Sequence, residues 1–485
     1  MGKTPLVVRS VASTFITQII SWTLTFAVML YLPRYVGAAG LGKLAFAGSF
    51  VAIFGVVVPL GTSNVLIRDI ARDRSRTGEL LLSAIILRVP LALVMTIVAI
   101  SAVRLMHYPV ITRTLVAVMA LGMIVGTVND ALASALQGQE KLPRQSVAVI
   151  IEKFLSSGLT IGLVFYRAPL WTLAAVGLFT SLVSLTVNLT AFTPLFSTLR
   201  WPPKATVRYI AAAGMPFVGW ILFRTLYGQT DPIILSFLTN DQTVGWYAAA
   251  FRLIGTTLIL PGALTTALFP TLSRLYKDDL EAFQKLARKT LSLVLLCGAP
   301  VSMLCICQPG RLIALMHYPK EFTGSIPVLQ IGGVGVFLYY AASVLGTVII
   351  ASDRQGKMLR TSATATFIGI PACFLGSYIT HHLWKNGAFG AMFSDVLLEA
   401  YLILAYLKMV PENTFTRESL SLVIRCLIAS LPVAILLALT ARSALGLWII
   451  VPVIPLYLAM CRLLRCLDPQ YLEMARALLK RPART

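Results

Sequence analysis

Fourteen stretches of about twenty mostly apolar residues, joined by short links, dominate this 485-residue sequence. Hydrocarbon offers no water to backbone amides, so a chain with this pattern is expected to cross the membrane as α-helices. The stretches run over 11–32, 43–67, 80–103, 114–136, 146–166, 171–194, 209–238, 244–273, 290–308, 326–350, 361–381, 388–407, 419–441 and 445–461. The composition, 57% hydrophobic and 12% charged with a mean hydropathy of +0.82, leaves too little polar surface for one water-soluble core. No link is long enough to fold alone, so function falls to the bundle itself. The first stretch follows Lys3 and Arg9, is too long for a signal-peptide core and has no small-residue cleavage site after Leu32, so it reads as a retained helix. The seven cysteines show no metal-type spacing and read as apolar fillers.

Lys and Arg alternate in abundance from link to link. The set containing both termini carries 28 and the opposite set 9, which predicts cytoplasmic termini under the positive-inside rule. The net charge of +22 is therefore largely topological, and no soluble domain remains to bind nucleic acid. The tail opens on Asp468-Pro469, a helix-start signal, and Tyr471 to Lys480 reads as a short helix on the anionic inner leaflet.

The chain also repeats itself. Met106-His107-Tyr108-Pro109 follows the third stretch, and the same four residues, Met316-His317-Tyr318-Pro319, follow the ninth. Gly42-Lys43-Leu44-Ala45-Phe46-Ala47, leading to Pro59-Leu60-Gly61, echoes Gly245-Trp246-Tyr247-Ala248-Ala249-Ala250, leading to Pro261-Gly262. A six-span unit and its copy share one orientation because six is even, giving two parallel lobes as in rocking transporters. The expected units are residues 1–205 (spans 1 to 6), 206–410 (spans 7 to 12) and 411–485 (two further spans and a basic tail).

Several segments carry a family resemblance: Arg34-Tyr35-Val36-Gly37 through Gly40-Leu41-Gly42, Pro59-Leu60-Gly61 to Arg68, Arg224 to Asp231-Pro232-Ile233-Ile234-Leu235-Ser236, Val244 to Arg252, and Ala267-Leu268-Phe269-Pro270-Thr271-Leu272-Ser273. In order and placement they resemble the polysaccharide transporter family, the O-antigen and exopolysaccharide repeat-unit flippases of the multidrug, oligosaccharidyl-lipid and polysaccharide exporter superfamily. The resemblance implies an all-α integral membrane protein with two six-helix lobes around a central cavity and two extra helices. It also implies transfer of undecaprenyl-pyrophosphate-linked oligosaccharide from the cytoplasmic to the periplasmic leaflet of a bacterial inner membrane, with a polysaccharide polymerase or ligase as partner.

Such a substrate needs a polar, cationic chamber, and the charges read off the spans are few: Arg88, Glu152, Lys153, Arg224, Asp231, Arg252, Asp395 and Glu399. Each costs about 2.5–3.5 kcal/mol at a helix centre on insertion scales unless it meets water or a partner. Arg224, Tyr227 and Asp231 share one helix face, and guanidinium suits phosphate oxygens, so Arg224 and Arg252 are the leading pyrophosphate candidates. The competing reading is internal ion pairing, for Arg224 with Asp231. Arg88 and Lys153 are weaker candidates that either bind substrate or pair locally. Arg34, at the mouth of the first span, either guides the headgroup or anchors at the interface. Ser181, Ser184 and Asn188 form a polar stripe suited equally to sugars and to interhelical bonding. Trp220, Tyr227, Tyr339 and Tyr340 either stack on sugar rings or fill helix interfaces.

No GxxxxGK[ST] loop occurs, so coupling is expected to be secondary, with no cofactor but a proton or sodium ion held at Asp231, Asp395, Glu399 or Glu152. The alternative role for these acids is neutralising arginines. Prolines 59, 90, 216, 261, 371 and 432 lie in spans as hinges or static kinks. Rival functions are a lipid II flippase, a drug exporter and a membrane glycosyltransferase or polymerase. An enzyme would need positioned carboxylates at the surface; Asp278-Asp279-Glu281, the acidic cluster present, reads as a solvated helix face.

Overall fold

The computed structural model describes residues 4–140, 142–193, 199–354, 356–440, 450–464 and 466. The tail over Tyr471 to Lys480 and the link at Arg442 lie outside them.

The described residues form helices throughout. In order these are α1 (Thr4–Gly55), α2 (Thr62–Arg72), α3 (Thr77–Leu105), α4 (Val110–Gly138), α5 (Leu142–Phe165), α6 (Leu170–Phe192), α7 (Lys204–Leu238) and α8 (Asp241–Thr257). There follow α9 (Ile259–Asp278), α10 (Leu280–Cys307), α11 (Pro309–Leu315), α12 (Ser325–Ala351), α13 (Gly356–Trp384), α14 (Gly387–Leu407), α15 (Arg417–Leu439) and α16 (Ile450–Leu463).

Among the described residues, eleven helices are long and apolar enough to cross a membrane, or twelve with the bent α7. The difference from the expected fourteen has local causes. The first two expected spans share α1, whose 52 residues would reach about 78 Å if straight, more than twice a bilayer core. The helix instead breaks at Gly37, whose φ of 69° and ψ of 179° lie in a region reserved for glycine. The last expected span is described only from Ile450.

The second expected span also stops early. After Gly55 the backbone turns through Leu60 and Gly61, both left-handed at φ 49° and 66°, before α2 begins. Its counterpart breaks more gently at Leu258, between α8 and α9, with right-handed φ −70° and ψ −8°. The tetrapeptide repeat is a structural repeat too. His107 and His317 have φ of 56° and 51°, and the prolines that follow cap α4 and the short 3-10 turn before α12 with nearly equal dihedrals. The αL residue terminates the helix, and proline, lacking an N–H, starts the next element.

The chain separates into two compact units, Met1–Ala248 and Ala249–Thr485. In the first, one cluster around Phe46, Phe50, Leu115 and Leu173 and another around Leu66, Ile70, Leu81 and Leu132 form the apolar core. In the second, α10 packs on α15 and α16 through Leu296, Ala299, Val433 and Tyr457. Close approach of α13 and α14 rests on small residues, since a Cβ on Gly390 would stand 2.0 Å from the Gly376 carbonyl oxygen.

Candidate functional site

Helix α7 organises the polar groups of the first unit. Pro203 caps it, and it bends by 47° between Met215 and Phe217, where Pro216 removes a hydrogen bond. Just before that bend Gly214 meets the Leu60 turn so closely that a Cβ would stand 2.1 Å from the Leu60 carbonyl oxygen. Beyond it, Ser49 Oγ donates to Gln229 Oε1 (2.8 Å), Tyr108 Oη and Ser236 Oγ lie 2.9 Å apart, and Lys43 Nζ stands 3.7 Å from Asp241. Asp231 is buried and accepts from Tyr247 Oη at 2.7 Å, whereas Arg224, two turns earlier, is exposed and Tyr227 half-buried. The expected face of cation, hydroxyl and carboxylate is thus graded from open to closed along the helix. Tyr247, the partner that holds Asp231, carries no charge signal that sequence reading could weigh.

Arg88 on α3 is fully buried and its donors are committed to neighbours. Nε donates to Thr62 Oγ1, Nη1 to Asp130 Oδ2 and Nη2 to Ser63 Oγ, each at 2.8 Å. Ser63 Oγ also donates to Asp130 Oδ2 at 2.7 Å. Asp130 is absent from the charges read off the spans, although it stands within 114–136; a carboxylate in an apolar stretch was the available signal. Beside it on α4, Asn129 joins the polar stripe of α6, donating to Ser184 Oγ (3.0 Å) and accepting from Asn188 Nδ2 (2.7 Å). The stripe therefore binds helix to helix.

At the end of α2, Arg68 Nε reaches Asp69 (2.8 Å) and Tyr209 of α7 donates to the same carboxylate (3.0 Å). Burial pushes the Asp69 carboxyl up, but hydrogen bonds from Arg68 and Tyr209 and the charges of Arg68 and Arg72 outweigh it, leaving it below the ordinary range.

In the second unit, Arg252 is half-buried on α8, with the Tyr318 phenol in electrostatic reach and no ion pair among the described residues. Asp395 and Glu399 are both buried on one face of α14, 6% and 5% exposed. Tyr340 is buried, donates to the Thr257 carbonyl (2.7 Å) and packs over Gly298, which makes it an interface filler. Tyr339 is half-buried, and the ring of Trp220 lies outside the described side chains.

The remaining candidates lie apart from these. On α5, Lys153 is exposed and Glu152 half-buried. Arg34 lies 5.4 Å from the centre of the Tyr31 ring, a cation–π contact suited to an interface. Asp279 caps α10 by accepting from the Ala282 N–H, which explains the acidic cluster structurally. Among the described residues no group of three or more His, Cys, Asp or Glu is placed to hold a metal.

Fold and site together define a multi-span helical membrane protein of the transporter class. Among solved structures it matches "Lipid II flippase MurJ, inward closed conformation" with a TM-score of 0.69 at 14% identity, covering 94% of this chain and 98% of that one. It is 20% identical over 373 residues to a "Probable low-salt glycan biosynthesis flippase" of Haloferax volcanii, covering 75% of this chain and 76% of the relative. It is 22% identical over 278 residues to "Lipopolysaccharide biosynthesis protein WzxC" of Escherichia coli, with 56% and 54% covered. The profile of the polysaccharide biosynthesis proteins matches residues 7–276, and that of the MatE family residues 216–375. The chain belongs to the family of polysaccharide biosynthesis proteins.

Proposed function

We propose that this protein is a flippase that turns a prenyl-pyrophosphate-linked oligosaccharide from one leaflet to the other by alternating access, without changing it chemically. The observation that carries the reading is the exposed guanidinium of Arg224, fourteen residues (about 21 Å) inside the end of α7 at Leu238. A cation at that depth is costly against acyl chains and is expected to face water, where it would receive the diphosphate; Arg252 is the second proposed phosphate-binding arginine. Family membership and relatives named as glycan flippase and lipopolysaccharide biosynthesis protein support the choice of substrate class.

The charge bias of the links supports both termini being cytoplasmic, the Escherichia coli relative supports a bacterial inner membrane, and six-span lobes at 1–205 and 206–410 with 411–485 appended remain the proposed repeat boundaries. Asp231, Asp395, Glu399 and Glu152 are the proposed coupling acids for a proton or sodium ion, and a polymerase or ligase the proposed partner. A second reading, lipid II as substrate, is favoured by the fold shared with the lipid II flippase.

The test is transfer of labelled lipid-linked oligosaccharide in proteoliposomes at varied pH and sodium. Arg224→Ala and Arg252→Ala are expected to slow transfer; unchanged rates in both would remove the site assignment, and release of altered glycan would indicate an enzyme.

A further inference from the structure

Asp130, within an expected span of the first unit, is a carboxylate that packing leaves half open. Both hydrogen bonds it receives, from Arg88 and Ser63, end on Oδ2, so among the described residues Oδ1 has no partner. Its side chain is 50% exposed, against 1% for Arg88. It lies eight residues, about 12 Å, inside the end of α4 at Gly138.

The direction it faces follows from helix geometry. Leu121, 47% exposed and suited to acyl chains, precedes Asp130 by nine residues, which is about 180° around an α-helix. Gln137, also exposed, follows by seven residues and shares the Asp130 face to within about 20°. Gly126, one turn before Asp130, would meet nothing within 4 Å with an added Cβ, so space lies open beside the carboxylate. Helix α4 thus has two exposed faces, an apolar one and, opposite it, one with a carboxylate, an amide and room. A half-exposed carboxylate on the second face is stable only if that face is wet.

Arg88 and Ser63 hold Oδ2, so Oδ1 is an oriented acceptor that costs no further ordering. Pyrophosphate would be repelled by it, whereas sugar hydroxyls and amino groups donate to carboxylates. Resting on the flippase reading above, we propose that Asp130 binds the glycan portion of the substrate through Oδ1 and selects neutral or amino sugars over acidic ones.

The experiment compares binding by the purified full chain of three probes: undecaprenyl pyrophosphate, the same carrier bearing a neutral hexose trisaccharide, and the same bearing a terminal uronic acid. Asp130→Asn keeps shape and an acceptor for Arg88. It is expected to weaken the neutral glycan probe about tenfold, as for one hydrogen bond to a charged group, and to leave the bare carrier unchanged. The preference for neutral over uronic glycan should shrink with it. Gly126→Val, which fills the open space without touching Arg88, should give the same selective loss and guards against misfolding of the first variant. Equal weakening of all three probes, or no change in any, in variants that keep the wild-type melting temperature, would overturn the proposal. If no probe binds the wild type, the flippase reading fails as well, so the two failures are distinguishable.

Discussion

Two intramembrane arginines, one in each unit, show how differently the same residue is used. Arg88 is enclosed by Thr62, Ser63 and Asp130, and each of those contacts comes from a helix other than its own. Arg252 sits half-buried near Tyr318 with no ion pair among the described residues. A guanidinium with its hydrogen bonds satisfied by protein is scaffold, whereas one without a counter-ion is placed to meet an anion.

Arg88→Ala should break this comparison most visibly. Removing one partner of a buried pair costs about 3–5 kcal/mol, and because Asp130 is half-exposed the lower end is expected, read as a fall in melting temperature in detergent. Arg252→Ala should leave that temperature nearly unchanged and instead slow lipid-linked oligosaccharide transfer about tenfold, the loss of one charge-assisted hydrogen bond. Equal destabilisation by both variants would erase the distinction.

The two broken spans sharpen the contrast at smaller scale. Gly61 is left-handed, and a Cβ there would stand 2.2 Å from the Gly214 carbonyl oxygen, so Gly61→Ala should cost about 2 kcal/mol from strain and overpacking. Gly262, just past the right-handed break at Leu258, would meet nothing within 4 Å, and Gly262→Ala should be within about 0.5 kcal/mol of neutral in the same unfolding assay.

The smallest effect concerns pH. The Asp69 carboxyl lies below its ordinary range, so the stability contributed by its bonds to Arg68 and Tyr209 is present above about pH 4 and fades as pH falls through the lowered value. Tyr209→Phe should flatten the acid limb of the melting-temperature profile slightly. An unchanged acid limb would show that this contact does not link α2 and α7 in solution.

Much of this architecture was legible in the chain itself. Apolar stretches of bilayer length require helices because lipid cannot satisfy backbone amides, and this holds whatever the neighbours. Gly37 and the two His-Tyr-Pro turns fall in links between expected spans, where glycine and proline act on the local backbone, whereas the Leu60-Gly61 turn falls inside the expected span 43–67. The two stretches that merge into α1 show the limit: hydropathy counts spans by composition, while helix continuity depends on a few dihedrals at the join.

The identity of the satisfied arginine was decided by tertiary structure. Arg88 finds Asp130 forty-two residues further on, on another helix, and Asp231 finds Tyr247 across a helix break. Side-chain spacing within one helix, which put Arg224 and Asp231 on a common face, says nothing about which groups a second helix brings to that face. The sequence alone thus determined where the chain must be helical and which links are basic, since those follow from solvent and local backbone. Only packing decided which charges are held and which stay open, because hydrogen bonds between helices depend on their rotation and depth in three dimensions.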